Sequence, residues 1–349
     1  MVNVLKSLTY LSQCSIYKER INKGVLTKMK NKLLSFFTCL SILMIGAFAL
    51  VGCSQSDPVG VTTASEFLAE FETASKVTLG ADITLVEKLD VTKDIEIDLN
   101  NHTLTFDVTD NDCLLQNNIY VKSTIKNGKI SHTSSIEITT LNGFITNDGE
   151  LTISNVEIEL NNISADIEEN TNAILNTGEG VLTVKDSKIT MNAKAGTYKA
   201  VGVFNIGKIC EIERSVVTLN SETSGSIYGI YNYIDDADEA TVGRRIASIK
   251  DSTINVTSKA VNSVSGIFSE SYLGGENISR VSISGNTKVN VVRDVAEGSG
   301  KKTYGFRAKG NATIVGANNA TLTIVDNTDC TKLERATETV GDYTGVIEG

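Results

Sequence analysis

The chain has 349 residues, enough for one large domain or two smaller ones, and 41% of them are hydrophobic, enough for a sizeable core. Its formal net charge is −10; because residues 1–52 carry a net +6, the remaining residues carry −16. Nucleic-acid partners and anionic surfaces require a basic patch on the protein, so this acidic body argues against both.

Residues 29–52 have the pattern of an export signal. Positive charge in "MKNK" (29–32) precedes an apolar run at 33–51, and Cys53 follows Gly52. The stretch "LVGCSQ" (50–55) resembles the lipobox of bacterial lipoproteins, which implies cleavage before Cys53 and lipid attachment to this residue. An uncleaved membrane helix is the alternative, because the apolar run nearly spans a bilayer.

The lipobox resemblance implies a protein held at the cell membrane by its N-terminal lipid and exposed outside the cytoplasm. We expect it to be a monomer. Three cysteines follow the anchor: Cys113, Cys210 and Cys330. Cys113 belongs to an early one and Cys330 to the last of the sequence repeats described below, and the stacking of these repeats would hold the two cysteines too far apart for a disulfide. We therefore expect no disulfide, and Cys210 to be a buried apolar residue. The expected segments are 1–28 (upstream extension), 29–52 (signal peptide), 53–62 (tether), 63–76 (capping helix), 77–330 (repeats) and 331–349 (C-terminal cap or tail).

The segment "TASEFLAEFETASK" (63–76) predicts a short amphipathic helix. Phe67, Leu68, Phe71 and Ala74 fall on one face, and Thr63 or Ser65 can serve as N-cap. The polar face lacks the basic residues of membrane-surface helices. We expect this helix to cover the open end of a stack of strands.

An eight-residue pattern then recurs along the chain. It reads "LNNHTLTF" (99–106), "IKNGKISH" (125–132), "ISNVEIEL" (153–160), "VKDSKITM" (184–191), "IERSVVTL" (212–219), "IKDSTINV" (249–256) and, with one insertion, "ISGNTKVNV" (283–291). Each copy predicts two short strands with alternating inward positions. The third position is nearly always Asn, Asp or Gly, which tolerate left-handed backbone, so we expect a bend there.

A third strand precedes most copies of the pattern. It reads "GFITNDG" (143–149), "AILNTGEG" (173–180), "GVFNIG" (202–207), "GIYNYI" (229–234), "GIFSES" (266–271) and "GFRAKG" (305–310). Its asparagines, Asn147, Asn176, Asn205 and Asn232, are expected to form an amide ladder between coils. A row of carbohydrate-binding amides is the alternative.

Three strands per unit of roughly thirty residues indicate a solenoid, whereas a β-sandwich would join its strands by hairpins. The stretch 81–106 with the "GIYN"-type coils resembles the pectin-lyase-like superfamily, especially surface proteins of Gram-positive gut bacteria. The resemblance covers roughly residues 63–330. It implies an all-β fold, a right-handed single-stranded parallel β-helix of about 7–8 coils with an N-terminal capping helix.

The resemblance does not imply an activity, because this fold hosts enzymes, adhesins and inert stalks. Fragments of the hydrolase motifs, "NTD" (327–329), "DD" (235–236) and "RAK" (307–309), stand in the wrong order, and no "GHG" accompanies them. The acidic stretch "DVTDND" (107–112) lacks the Gly-turn spacing of a calcium loop. We therefore expect no catalytic residues, cofactor or metal, with a polysaccharide lyase or hydrolase as the alternative.

Two insertions, at 233–245 and 270–280, leave neighbouring coils at one corner, which is where solenoids usually place function. The expected function is non-catalytic binding or adhesion to a polysaccharide or a host or cell-surface ligand. A structural spacer without a ligand is the third possibility. The predicted binding patch comprises Tyr233, Asp235, Asp236, Asp238, Glu239, Arg244, Arg245, Tyr272, Glu276 and Arg280.

Overall fold

The computed structural model describes residues 60–108, 113–133, 136–138, 143–165, 170–194, 199–222, 225–234, 244–259, 262–271, 279–294, 303–310, 312–316 and 320–326. These residues form one helix and 25 strands, and the strands pair in parallel. The protein is an all-β parallel β-helix, as the repeat predicts. Within the described ranges, no helix is long and apolar enough to cross a bilayer.

Helix α1 (Ala64–Thr73) covers the N-terminal end of the strands. Thr63 is its N-cap, and a capping box joins the Thr63 and Glu66 side chains to each other's backbone nitrogens. Phe67 and Phe71 are buried, and their rings stack with centroids 5.9 Å apart. The predicted cap is confirmed, with bounds three residues shorter at the C-terminal side.

A 17-stranded sheet carries the eight-residue pattern as two adjoining stacks of strands. The first stack holds β1 (Lys76–Thr78), β4 (Ile95–Asp98), the first part of β7 (Lys122–His132), the first part of β10 (Glu150–Ala165), β12 (Val181–Lys185), β15 (Ile209–Glu213), β18 (Arg245–Lys250), β21 (Ser279–Ser284) and β24 (Thr313–Val315). The second stack holds β2 (Ile83–Leu85), β5 (Thr103–Phe106), the remainders of β7 and β10, β8 (Ile136–Ile138), β13 (Lys188–Ala193), β16 (Val216–Ser221), β19 (Thr253–Ser258), β22 (Lys288–Arg293) and β25 (Thr321–Asp326).

An eight-stranded sheet forms the third side of each coil. Its strands are β3 (Leu89–Val91), β6 (Leu115–Asn117), β9 (Gly143–Asn147), β11 (Asn170–Asn176), β14 (Lys199–Asn205), β17 (Ser226–Ile234), β20 (Val264–Ser271) and β23 (Thr303–Gly310). Consecutive coils pair in register, so equivalent positions of the repeat lie one above the other in columns.

Every predicted bend has positive φ, between 46° and 65°. The bend residues are Asn101, Asn127, Asn155, Asp186, Arg214, Asp251 and Gly285. Arg214 is the exception in residue type, and it forms a bidentate ion pair with Asp186 of the preceding coil, at 2.7 and 2.9 Å. The left-handed corner is therefore a fixed feature of the coil, and it separates the two stacks of the larger sheet.

The amide ladder is confirmed and extends one coil further than predicted. Asn117 donates from Nδ2 to Oδ1 of Asn147, and the pattern repeats to Asn176, Asn205 and Asn232, with N···O distances of 2.6–2.7 Å. All five side chains are fully buried. A fully buried amide column stabilises the stacking of coils, so the alternative of carbohydrate-binding amides is wrong for these residues.

The core lies inside the coils, and the predicted strand phase is confirmed. Ile212, Val217 and Leu219 are buried, and Thr218 between them lies outside the core cluster. Cys210 is also fully buried, and this burial raises the pKa of its thiol to about 12. Cys210 therefore serves as a small apolar core residue, as predicted.

Candidate ligand-binding surface

The outer face of the eight-stranded sheet carries an apolar cluster separate from the core. Val203 and Ile230 belong to the core, whereas the next residues in their strands, Phe204 and Tyr231, belong to the second cluster. Successive side chains of a strand point to opposite faces, so the second cluster lies outside the coil. This aromatic cluster comprises Leu175, Val201, Phe204, Tyr228, Tyr231 and Phe268, with Ile206 and Tyr233 packed against it.

The rings of the aromatic cluster are ordered by the coil repeat. Phe204, Tyr231 and Phe268 are register partners in β14, β17 and β20. Their ring planes are within 4° of parallel, and their centroids are 4.8 and 5.0 Å apart. Tyr228 and Tyr233 contact Tyr231 from either side, at 5.0 and 5.4 Å. Such aromatic contacts stabilise the face beyond the effect of apolar burial, so the cluster is a rigid floor.

A glycine in each of these strands makes this arrangement possible. Gly202 and Val203 both face the core, and a Cβ on Gly202 would lie 2.8 Å from Cγ1 of Val217. The register skips Gly202 and its partner Gly229, which marks a local break in the alternation. Val201 and Phe204 consequently lie on the same outer face, although three positions separate them.

Charged groups lie beside the aromatic floor. The Glu270 side chain is 9% exposed and accepts from the Tyr231 hydroxyl and from Nζ of Lys309, the latter at 3.0 Å. Burial, together with the Glu270 charge, raises the pKa of Tyr231 far above its usual range. Tyr231 therefore stays protonated and acts as a hydrogen-bond donor to the carboxylate.

Two more cations approach the rings from the same face. Arg307 lies over Phe268 at 4.7 Å and over Tyr304 at 4.9 Å, and Nζ of Lys199 lies 5.9 Å from the centroid of Tyr231. Burial lowers the pKa of Lys199, and nearby Lys309 lowers it further while Glu270 opposes the shift. Acid, base and aromatic groups thus converge along one sheet.

The two predicted insertions begin and end side by side. Ile234 is the last described residue in the N-terminal part of the first insertion, and it pairs with Ser271, the equivalent residue of the second. On the far side, Arg245 pairs with Ser279. The central parts of the insertions, 235–243 and 272–278, lie outside the described residues, and so do the predicted site residues Asp235, Asp236, Asp238, Glu239, Tyr272 and Glu276.

The four described residues of the predicted patch differ in exposure. Arg244 and Arg280 are exposed, as expected for a polar patch. Tyr233 is only half-buried, not an exposed aromatic, because its ring packs against Phe204 and Tyr231. Arg245 is 8% exposed, because it opens strand β18 at the turn beside Asn232. The patch therefore continues into the aromatic cluster.

No group of three or more His, Cys, Asp or Glu side chains within the described part of the chain could hold a metal ion. Of the acidic stretch at 107–112, Asp107 is described and hydrogen-bonds to the Thr133 hydroxyl, whereas Asp110 and Asp112 lie outside the described residues. Cys53 and Cys330 also lie outside them.

A second concave surface follows the left-handed corner. It is an open cleft of about 530 Å³ that crosses several coils. Its lining includes Lys129, Glu157, Lys188 and Arg214. These charges are paired across coils: Lys188 binds Glu157 at 2.8 Å, and Lys129 binds Glu159. Because its charges already have partners, this cleft is a weaker candidate than the aromatic face.

Comparison of the chain with protein-family models, curated proteins and solved structures found no match.

The aromatic cluster is the part of the surface that the sequence did not reveal. The third strands show an apolar pair after the glycine, and both members read as core residues. A usable signal was present, since Phe204, Tyr231 and Phe268 directly precede the ladder position in their coils. A residue next to an inward ladder position must point outward.

Proposed function

We propose that this chain is a lipid-anchored protein displayed on the cell surface that binds a glycan or another host or cell-surface ligand without catalysis. The observation that supports this proposal is the aromatic cluster on the outer face of the eight-stranded sheet. The outer positions of the larger sheet hold Thr, Asn, Lys and Glu, whereas this face holds stacked Phe and Tyr.

The face has the composition of a binding site. Binding sites combine apolar and aromatic surface with a few placed polar groups. The floor of buried rings is rigid, while Tyr233, Tyr304, Arg307 and Lys309 are half-buried at its rim. Half-buried Tyr and Arg side chains pack through their bodies and leave polar tips accessible to a ligand. Strands β17 and β20 end beside this rim at Ile234 and Ser271, within the two predicted insertions.

Binding of purified 54–349 to glycan and host-protein arrays tests this proposal. The double variant Tyr233→Ser and Tyr304→Ser is expected to lose at least about tenfold in affinity, since Tyr is among the residue types that contribute most of the binding energy at interfaces. The matched control, Thr190→Ser and Thr218→Ser on the larger sheet, should bind like the wild type. Equal binding by both double variants would contradict the proposal.

Replacement of the insertions provides a second test. The replacement should be confined to 235–243 and 272–278, because the ends of both insertions belong to strands. These strand residues are Tyr233, Ile234, Arg245, Glu270, Ser271, Ser279 and Arg280. A four-residue turn such as "DGEL" (148–151) is suitable for each. We expect the β-sheet circular dichroism and melting temperature to persist while array binding disappears. Unchanged binding would place the site elsewhere.

The anchor has its own test. Cys53→Ala should abolish metabolic labelling with palmitate and leave the protein uncleaved or shed. Labelling at the wild-type level would contradict the lipobox interpretation.

The convergence of Lys199, Tyr231 and Glu270 favours one second candidate, a polysaccharide lyase or hydrolase. A lysine with a lowered pKa can accept a proton at neutral pH more readily than an ordinary lysine. Incubation with pectins, host glycans and mucin, followed by chromatography of the products, tests this candidate. Cleavage that Lys199→Met abolishes would establish it, and intact polymers would exclude it for those substrates.

A further inference from the structure

Arg245 is a buried cation with an unused hydrogen-bond donor. Its residue surface is 8% exposed, and its Nη1 has no hydrogen-bond partner. Its backbone is well fixed, because its carbonyl accepts from Nδ2 of Asn232 at 3.1 Å and its strand pairs with β21 at Ser279. The backbone from which this guanidinium extends is therefore fixed by the coil.

An unpaired buried guanidinium is unfavourable and rare. Buried polar groups in native proteins are nearly always hydrogen-bonded, and an exception usually marks a missing ion, water or ligand. Burial lowers the pKa of Arg245, and attraction to Glu179 opposes this shift. Glu179, however, already forms an ion pair with Lys208. Within the described part of the chain, the one acidic group that affects the pKa of Arg245 is thus shared with another cation.

Other cations surround this position. Lys208 lies in the preceding coil, where its carbonyl accepts from the nitrogen of Ile246, and Arg280 is the register partner of Ile246 in the following coil. Arg244 precedes Arg245 in the chain, and all three neighbours are exposed. Among the described residues, Lys208 and Arg245 thus share the one carboxylate of Glu179, and Arg244 adjoins them in the chain, in a protein whose body carries −16. A positive corner on such an acidic body is expected to attract an anionic ligand.

We propose that Arg245, with Lys208 and Arg244 beside it, binds the anionic group of a sugar, a carboxylate or a sulfate. The guanidinium presents planar parallel donors that match the paired oxygens of either group. This inference rests on the proposed binding function and narrows its ligand to acidic sugars. Asn232 donates to the carbonyl of Arg245, and the next residue, Tyr233, packs against the aromatic cluster. We therefore expect a sugar ring bound at Arg245 to contact the aromatic cluster as well.

Three polymers with one backbone test this inference: dextran, carboxymethyl-dextran and dextran sulfate. Binding to the full chain, solubilised in detergent, is measured at equal ionic strength. The wild type should bind at least one charged polymer at least about tenfold more tightly than dextran. The comparison between carboxymethyl-dextran and dextran sulfate shows which anion is preferred.

Arg245→Met should abolish the preference for the charged polymer without lowering the melting temperature, because an apolar side chain of similar length replaces an unpaired buried charge. Arg245→Lys keeps the charge and loses the planar fork, so its preference should be intermediate. Lys88→Met is the matched control, because Lys88 is an exposed cation far along the chain from this corner, and it should retain the wild-type preference.

Three results would overturn the inference. The first is a wild type that does not prefer either charged polymer, and the second is a preference that persists in Arg245→Met. The third is a lower melting temperature in both Arg245 variants, which would assign the guanidinium a structural role. Neutral glycans bound on the arrays, with no preference for charge, would contradict this inference and leave the proposed function intact.

Discussion

The outer faces of the two sheets are built on the same coil repeat and differ in chemistry. On the larger sheet, outward columns hold Thr, Asn and charged residues, and they form ladders such as Asn161–Asn192–Asn220 and ion pairs such as Lys188–Glu157. On the smaller sheet, the outward columns hold the aromatic cluster. The coils stack in register on both faces, so the need to stack coils does not explain why one face holds aromatic residues. This difference is the reason to place the proposed binding function on the smaller sheet.

The largest expected effect comes from a charge placed inside the coil rather than on a face. Val217 is fully buried and lies between Ile189 and Ile254 of the adjacent coils. Val217→Asp would bury an unpaired carboxylate and lower the free energy of unfolding by about 4 kcal/mol. Thr218→Asp, one residue later on the outer face, should change it by less than about 0.5 kcal/mol. Urea unfolding of both variants is the measurement, and equal losses would contradict the strand phase.

The two asparagine ladders differ in how deeply their hydrogen bonds are buried. Asn205 accepts from Asn176 and donates to Asn232, and all three are fully buried. Asn205→Ala should cost about 2–3 kcal/mol, because it leaves buried donors and acceptors unpaired. Asn192→Ala interrupts the half-buried outer ladder, where water can replace the amide, and should cost less than about 1 kcal/mol. A similar cost in both variants would remove the distinction between the ladders.

The aromatic cluster should respond to ring loss more strongly than to hydroxyl loss. Tyr231→Leu removes both stacking contacts and the bond to Glu270, and should cost about 2 kcal/mol. Tyr231→Phe keeps the stack and leaves Glu270 paired with Lys309, so it should cost about 1 kcal/mol. Thermal unfolding distinguishes the two, and a larger loss in the Phe variant would mean that the hydroxyl, not the stack, stabilises this face.

The ion pairs of the larger sheet should contribute the smallest, pH-dependent effect. The Lys129 ammonium lowers the pKa of Glu159 below its usual 4.5. Because the folded-state pKa is lowered, this contribution is complete above that value and is lost as the pH falls through the lowered pKa. The unfolding midpoint of the wild type should therefore fall more steeply between about pH 5 and pH 3 than that of Lys129→Met. Parallel pH curves would show that the pair contributes nothing.

The fold could be predicted from the sequence because its determinants are local and repeated. A left-handed corner favours Asn, Asp or Gly, so the sequence predicts that Asn155 forms a corner. A buried ladder needs one amide per coil, so the sequence predicts that Asn176 belongs to the ladder. Arg214 shows the limit of this reasoning, because its left-handed backbone follows from its position in the repeat and not from its residue type.

The candidate site was less predictable, because it depends on which face an apolar residue occupies. Gly202 breaks the strict alternation of inward and outward side chains in this strand. In "VGVF" (201–204), the first and last residues, Val201 and Phe204, therefore both point outward. Composition alone cannot reveal this change of phase. The unpaired Nη1 of Arg245 is equally a property of the folded packing. Sequence reasoning located Arg245 and Tyr233 through the insertions, but not the aromatic floor beside them.

Steric blocking of one face at a time is the most direct test of the difference between the faces. In purified 54–349 carrying Cys330→Ser, a single cysteine is introduced as Tyr233→Cys or as Thr218→Cys and coupled to polyethylene glycol. Cys113 and Cys210 are buried and should not react. We expect polymer coupled at position 233, on the smaller sheet, to abolish binding to the array ligand. Polymer coupled at position 218, on the larger sheet, should leave binding unchanged. Binding blocked from position 218 and retained at position 233 would contradict the assignment.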